Sequence, residues 1–405
     1  MSQIDLLNLQ APDAVTIGNH EFDYGRKNLE EKYSKAHFPV VAANLLDYQK
    51  HSLFVQPYII KTIGNIKAAI IGLTTPDLST LTLTENLSGL TVVSSDSVVN
   101  ALIPEIKKQG ANLIIVLSHM GVTEDSILAS RCPDVDIIIG GHSHIPLFTP
   151  KIVNGIYICQ AGTKGRYLGR VDLLVDVKKD TILSAHAKLI ECRSADITPD
   201  SLVAAKVQTY EEMVGAMMKE QIGILKNDWK RSHNKESEIG DWVCDQFRSY
   251  AKADIAIQNM GGVRKDMLAG PITVRDMWEI LPFGNVLMKF PLTGKEILSL
   301  LQYQPKLWDD FCQYSGLSFT YAVQNGLWNV SEVKVNGKNI DKKKIYSVVT
   351  NNYVVQQAKK YFGFEIPPQS VTALPINDRE VCIEAVRKQK NISTKPERRI
   401  HEVTK

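Results

Sequence analysis

Short apolar runs recur through the first half of the chain, and each closes on small or polar residues. Ala14–Ile17, Phe38–Ala42, Ala68–Gly72, Leu113–Leu117 and Val135–Ile139 are rich in Val, Ile and Ala and end in turn formers. Runs of that length and composition predict short buried strands. Helical patterns separate several of them, as at Ser97–Lys108 and Glu124–Ala129. Strand and helix in alternation predict an α/β layered sheet. Residues 200–222 then read as one helix with no turn signal, a bridge between two domains. Beyond it the pattern resumes. Ile239, Val243 and Phe247 lie four apart, one face of a helix. Ala253–Ile257 reads as a strand followed by a Gly261-Gly262 turn. Thr293 and Glu296 form a capping box ahead of Ile297–Leu301. Asn336-Gly337, directly after Val333–Val335, predicts a hairpin. The expected layout is a first α/β domain over 1–198, a linker helix over 199–222, a second α/β (α+β) domain over 223–395 and a frayed polar tail over 396–405.

Composition narrows the class. At 405 residues, 44% hydrophobic and 22% charged, the chain has room for two ordinary cores. A net charge of +3 gives no argument for a nucleic-acid polymer or an anionic membrane as partner. No run approaches the roughly 18 apolar residues of a membrane span. Met1-Ser-Gln-Ile-Asp-Leu-Leu-Asn8 lacks a basic start and an apolar signal core, so a genuine start at Met1 predicts a cytoplasmic protein. The 6 cysteines form no CxxC pair, which argues against a structural zinc site.

The chemistry sits where three predicted strands end. Ala14–Ile17 runs into Gly18-Asn19-His20, Leu113–Leu117 into Ser118-His119-Met120-Gly121, and Val135–Ile139 into Gly140-Gly141-His142-Ser143-His144. In α/β sheets ligands gather at the carboxyl ends of the strands. Three such loops on one edge would bring Asn19, His119, His142 and His144 together. Imidazole and amide donors suit Zn²⁺, Mn²⁺ or Co²⁺ better than Ca²⁺. His142 and His144 are two apart, so in an extended segment both point to one side.

With these motifs the chain resembles the 5'-nucleotidase family. Gly18-Asn-His-Glu-Phe-Asp-Tyr-Gly25, Ser118-His-Met-Gly121 and Gly140-Gly-His-Ser-His144 match its calcineurin-like metallophosphoesterase domain. Ile257-Gln-Asn-Met-Gly-Gly-Val-Arg264 and Leu281-Pro-Phe-Gly-Asn285 match its C-terminal nucleotide-binding domain. The resemblance implies a four-layer α/β metallophosphoesterase domain joined by a helix to the second domain. It implies two divalent metal ions, with Asn19, His119 and His142 on one and His144 on the other. It implies a catalytic pair of His20 and Asp23, in which His20 steadies the phosphoryl oxygens. In the second domain it implies substrate binding by Asn259, Gly262 and Arg264, with Phe283 and Tyr353 stacking on the base. The implied reaction is hydrolysis of a nucleotide phosphoester, with a periplasmic or extracellular setting common in the family.

Departures from the family pattern accompany the matches. An Asp-x-His motif and a Gly-Asp segment, which would precede Asn19, are absent, so the first strands and the second metal site are expected to be incomplete. Impaired turnover, an inactive remnant or a nucleotide-binding protein without turnover is then an alternative expectation. Lys359 stands near the position of a family aspartate that holds the ribose hydroxyls, and an ammonium accepts no hydrogen bond. A cyclic nucleotide, a nucleotide sugar or a non-nucleotide ester is therefore an alternative substrate. Arg231 and His233 are nearest to a further family arginine.

Overall fold

The computed structural model describes residues 2–177, 181–303, 310–324, 327–395 and 397–403. The chain divides into two compact units, Met1–Tyr210 and Glu211–Lys405, with the division inside helix Ser201–Lys219.

The first unit is built on a six-stranded sheet. Its strands are β3 (Tyr58–Ile63), β4 (Ile66–Thr74), β5 (Leu113–His119), β6 (Ile137–Gly140), β7 (Lys151–Val153) and β8 (Ile156–Gln160), in the order β7-β8-β6-β5-β4-β3. β4, β5, β6 and β8 run parallel, while β3 and β7 close the edges antiparallel. The parallel strands are largely buried, which is why they read as near-continuous apolar runs. Ile114, Val116 and Ile138 pack with Val99, Ile103 and Ile106 of helix α2 (Ser95–Lys108) and with Leu128 and Ala129 of helix α3 (Val122–Arg131). The short strands β1 (Val15–Thr16) and β2 (Val40–Val41) pair in parallel and pack against β4. Helix α1 (Ser2–Gln10) was not anticipated. It buries Ile4, and the Asn8 side chain donates to the Lys35 carbonyl and accepts from the His37 amide. A ribbon of β9 (Tyr167–Asp176) and β10 (Thr181–Glu191) completes this unit.

The parallel register matters most for function. Thr74 lies beside His119, and Gly140 beside Gln160, so four strands present their carboxyl ends at one edge. The β1 strand leads into Gly18 and Asn19, which are also buried.

In the second unit helix α5 (Glu238–Ala251) buries Ile239, Val243 and Phe247 completely, and the Ser237 hydroxyl caps it by accepting from the Gly240 amide. The central sheet orders as β13-β11-β17-β12-β18, with β11 at Ile255–Asn259, β12 at Val286–Thr293, β13 at Cys312–Ser315, β17 at Ile345–Asn351 and β18 at Thr372–Asn377. β11 runs two residues later than the apolar pattern predicts. Its end, Gln258-Asn259, is polar yet buried, because Asn351 donates to both side chains. The capping box forms as expected: Glu296 accepts from the Thr293 amide, and the Thr293 hydroxyl accepts from the Glu296 amide. A second sheet holds β14 (Leu317–Gln324), β15 (Leu327–Val335), β16 (Lys338–Asn339) and β19 (Ile400–Glu402). Asn336 and Gly337 join β15 to β16 with φ of 50° and 75°, the two positive values a tight hairpin requires.

The last segment corrects the expectation of a frayed tail over 396–405. β19 pairs in parallel with β14, and Arg399 is buried. Its guanidinium donates to both Asp245 carboxylate oxygens at 2.8 and 2.7 Å, to Glu397, and to the Tyr314 carbonyl at 2.6 Å. Glu236 accepts from the amides of Arg399 and Ile400. A polar sequence reads as tail only while its partners, placed far away in the chain, are unknown. Arg399→Ala strands these carboxylates and is expected to destabilise the second unit by about 3–5 kcal/mol. All 5 tryptophans follow residue 210, so urea unfolding read by tryptophan fluorescence isolates that unit.

Candidate metal and phosphoester site

Three of the loops at the carboxyl edge of the first unit converge. The His119 Nε2 atom lies 3.1 Å from Asn19 Oδ1, and the His119 and His142 ring centres are 5.1 Å apart. Gly18 makes the approach possible, since a β-carbon there would stand 2.8 Å from His119 Nε2. Burial drives the His119 imidazole down to about 4, helped by the fields of His142, His20 and His144. His142 is lowered by the same causes, burial first, with Asp77 opposing. Near neutral pH both rings therefore carry a lone pair rather than a charge, the state a metal ligand needs.

His142 and His144 adopt φ of 73° and 60°. This corrects the expectation of an extended segment with both rings on one side: the loop turns through the left-handed region twice, with the Ser143 amide donating back to the Gly141 carbonyl. His20 and Asp23 pair as expected for one short helical turn, His20 Nδ1 lying 3.1 Å from Asp23 Oδ2, in an exposed position.

The two acidic residues before Asn19 are paired elsewhere. Asp13 pairs with Lys61 of β3, and Asp5 with Tyr210 and Lys206. Two supporting polar residues were missed by the sequence reading. Gln160 ends β8, and Asp125 is wholly buried in α3, 2.5 Å from the Ser118 hydroxyl. The signal for Gln160 was a polar residue closing the apolar run Ile156–Cys159. Asp125 had no signal beyond a helical position. Asp77, whose charge reaches His142, follows the end of β4.

In the second unit the expected substrate residues form one network. The Asn259 amide donates to Tyr361 and Asp310 and accepts from Asn351, so its side chain is buried and occupied. Asp310 accepts from the Gly261 amide at 2.7 Å and from the Tyr361 hydroxyl. Gly262 has no room for a β-carbon beside Gln258 Nε2. Arg264 donates to the Gly261 carbonyl, and its guanidinium lies 5.8 Å from the Phe283 ring centre. Tyr353 meets Tyr361 edge-on at 6.2 Å. Asp310 and Tyr361 were not anticipated as members. Arg231 braces the neighbouring loop through Asp266 and the Val263 carbonyl, while Lys359 is exposed.

Comparison with known proteins agrees with this geometry. The family described as calcineurin-like phosphoesterase matches residues 2–146, and the 5'-nucleotidase C-terminal domain matches residues 214–365. The chain thus carries, in order, a calcineurin-like phosphoesterase domain and a 5'-nucleotidase C-terminal domain. It is 29% identical over 380 residues to a 5'-nucleotidase of Vibrio cholerae, covering 81% of this chain and 68% of that protein. It is 28% identical over 367 residues to Endonuclease YhcR of Bacillus subtilis, covering 84% of this chain but only 30% of that protein's length. The structure of a 5'-nucleotidase precursor from Thermus thermophilus superposes with a TM-score of 0.89 at 27% identity, over 100% of this chain and 86% of that one. The two-domain α/β fold is thereby established. No helix among the described residues is long and apolar enough to cross a membrane.

A calcineurin-like phosphoesterase domain implies divalent metal ions, and the donor spacings bear on them. Two donor atoms on one tetrahedral ion stand about 3.4 Å apart, and two imidazole centres about 5 Å apart, at a metal–nitrogen distance of about 2.1 Å. The Asn19–His119 pair meets the first spacing and the His119–His142 pair the second, so these three residues suit a shared ion pair by pair. Among the described residues no three His, Cys, Asp or Glu side chains group to hold a metal ion at any position.

Burial also raises Asp125, to about 7, against the opposing Ser118 hydrogen bond. A carboxyl that prefers its proton when folded loses stability as pH rises from about 4 to about 7. Asp125→Asn should remove that loss. Its stability gain over the parent chain is expected to grow between pH 4.5 and 7.5 by about 3 kcal/mol, read by thermal unfolding at each pH.

Proposed function

We propose that the chain is a metal-dependent phosphohydrolase that cleaves a nucleotide phosphoester to a nucleoside and inorganic phosphate. The observation that carries this reading is the cluster of neutral His119 and His142 with Asn19, set beside the exposed His20–Asp23 pair. Asn19, His119 and His142 would hold one divalent ion, and His144 would contribute to a second. A bound ion supplies a water of lowered pKa and a cation for the phosphoryl oxygens.

The chain's own residues supply the rest. Asp23 accepts from His20 Nδ1 and so orients the ring and its tautomer, directing Nε2 toward an oxygen of the phosphoryl or leaving group. A proton delivered there leaves with the alcohol, while water adds its oxygen to phosphorus. Burial of His119 and His142 keeps protons from competing for their ligand nitrogens. In the second unit, Phe283 and Tyr353 offer aromatic faces to a base, with Arg264 for an anionic or hydroxyl-bearing group.

With Mn²⁺ and adenosine 5'-monophosphate the purified chain is expected to release inorganic phosphate, and a chelator to stop it. His20→Ala should lower kcat about 10²–10⁴-fold. Phosphate release indifferent to both treatments rejects the reading. A second reading, nucleotide binding without turnover, is favoured because no three His, Cys, Asp or Glu side chains group to hold an ion among the described residues. It predicts nucleotide binding with no phosphate released.

Base stacking has its own test. Adenosine binding to the full chain, followed by calorimetry, should weaken about tenfold in Phe283→Ala. Unchanged affinity removes Phe283 from the substrate site.

A further inference from the structure

We infer that Gln160 is a positioning residue that sets the loop of His142 and His144 for metal binding. The inference rests on the phosphohydrolase reading above, in which these histidines are ligands.

Gln160 is the last residue of β8 and lies in register with Gly140, the last residue of β6. It is 3% exposed, and its amide is used on both sides. Oε1 accepts from the Ser143 hydroxyl at 2.9 Å and from the Ile145 amide at 2.8 Å, while Nε2 donates to the Gly141 carbonyl at 2.8 Å. Gly141, Ser143 and Ile145 are the residues that alternate with His142 and His144. One side chain therefore grips the loop before, between and after the two histidines.

That grip answers a specific problem. Both histidines hold φ in the left-handed region, at 73° and 60°. For a residue with a β-carbon this conformation costs about 1–2 kcal/mol, and it persists where the surroundings over-determine it. Three hydrogen bonds from a buried amide are such surroundings. The amide orientation is settled by its partners, since the reversed amide would set its NH₂ against the Ile145 amide and its oxygen against the Gly141 carbonyl.

The clamp also reaches the other ligand loop. The Ser143 hydroxyl donates to Gln160 and accepts from the Val122 amide at 3.2 Å, which uses its proton and one lone pair. Val122 begins α3, three residues beyond His119. The Gly140 strand end is closed from the far side by Asp125, whose Oδ2 would stand 2.4 Å from any β-carbon there. Gln160 thus links the His119 loop to the His142–His144 loop without itself lying among the ligand atoms.

Co²⁺ binding to the full chain tests this by calorimetry and by the visible spectrum of the bound ion, neither of which depends on turnover. Gln160→Glu keeps the shape and the two acceptor contacts but sets a carboxylate oxygen against the Gly141 carbonyl. Gln160→Ala removes all three bonds. Each is expected to weaken Co²⁺ affinity about 10–100-fold and to alter the spectrum. Asp134→Asn, whose carboxylate pairs with Lys107 outside the clamp and the site, should bind Co²⁺ with the parent affinity. Ser143→Ala, which removes one link, should show a smaller loss and serves if Gln160→Ala does not fold. A merely structural role for Gln160 predicts a lower melting temperature of the metal-free chain with Co²⁺ affinity and spectrum unchanged. That result overturns the inference alone. A parent chain that takes up no Co²⁺ overturns the phosphohydrolase reading and this inference together.

Discussion

Four parallel strands that end together at one edge are the constraint on which the first unit depends. Parallel register is set by backbone hydrogen bonds and by apolar side chains that must be buried. Thr74, His119, Gly140 and Gln160 are the residues at which those demands stop. Beyond them the chain turns, and the turns carry the polar chemistry. The same packing that buries Ile114, Val116 and Ile138 thereby fixes where His119 and His142 begin. Burial then acts on chemistry directly, because desolvation is the largest cause of the lowered His119 and His142 values.

The edge is supported by buried polar groups rather than by more hydrocarbon. Ser118, Asp125 and Gln160 are buried at this edge and, with the exposed Ser143, bond to loop backbone or to one another. Such groups specify geometry because each unmet hydrogen bond is costly in a low-dielectric interior. Asp125 shows the other side of that rule: its Oδ2 has no hydrogen-bond partner, and its carboxyl holds a proton more readily than an exposed one. The second unit uses the same device twice. Asn259, Asn351, Asp310 and Tyr361 connect the Gly261 turn to the sheet, and Arg399 gathers carboxylates around the final strand.

The two matched domains account for the fold, and the donor set at the carboxyl edge is this chain's own. Asn19 lies beside His119 and His119 beside His142, and the Gly18 backbone passes between His119 and the Glu21 carboxylate. In the second unit, Lys359 is exposed while Asp310 is bound to Gly261 and Tyr361.

Much of this was legible in the order of residues. Apolar runs marked the parallel strands, spacing by four marked the Ile239, Val243 and Phe247 face, and Thr293 with Glu296 marked a helix start. These features are local, and local geometry follows from steric preference and burial over a few residues. Histidines at three strand ends pointed to one site because a parallel sheet aligns its carboxyl ends. What only the tertiary structure decided depends on partners distant in the chain. The left-handed turns at His142 and His144 follow from Gln160, the buried polar end of β11 follows from Asn351, and the ordered final strand follows from Asp245 and Glu236. In each case a residue that looks polar and therefore exposed is buried, because a second residue far along the sequence satisfies its hydrogen bonds.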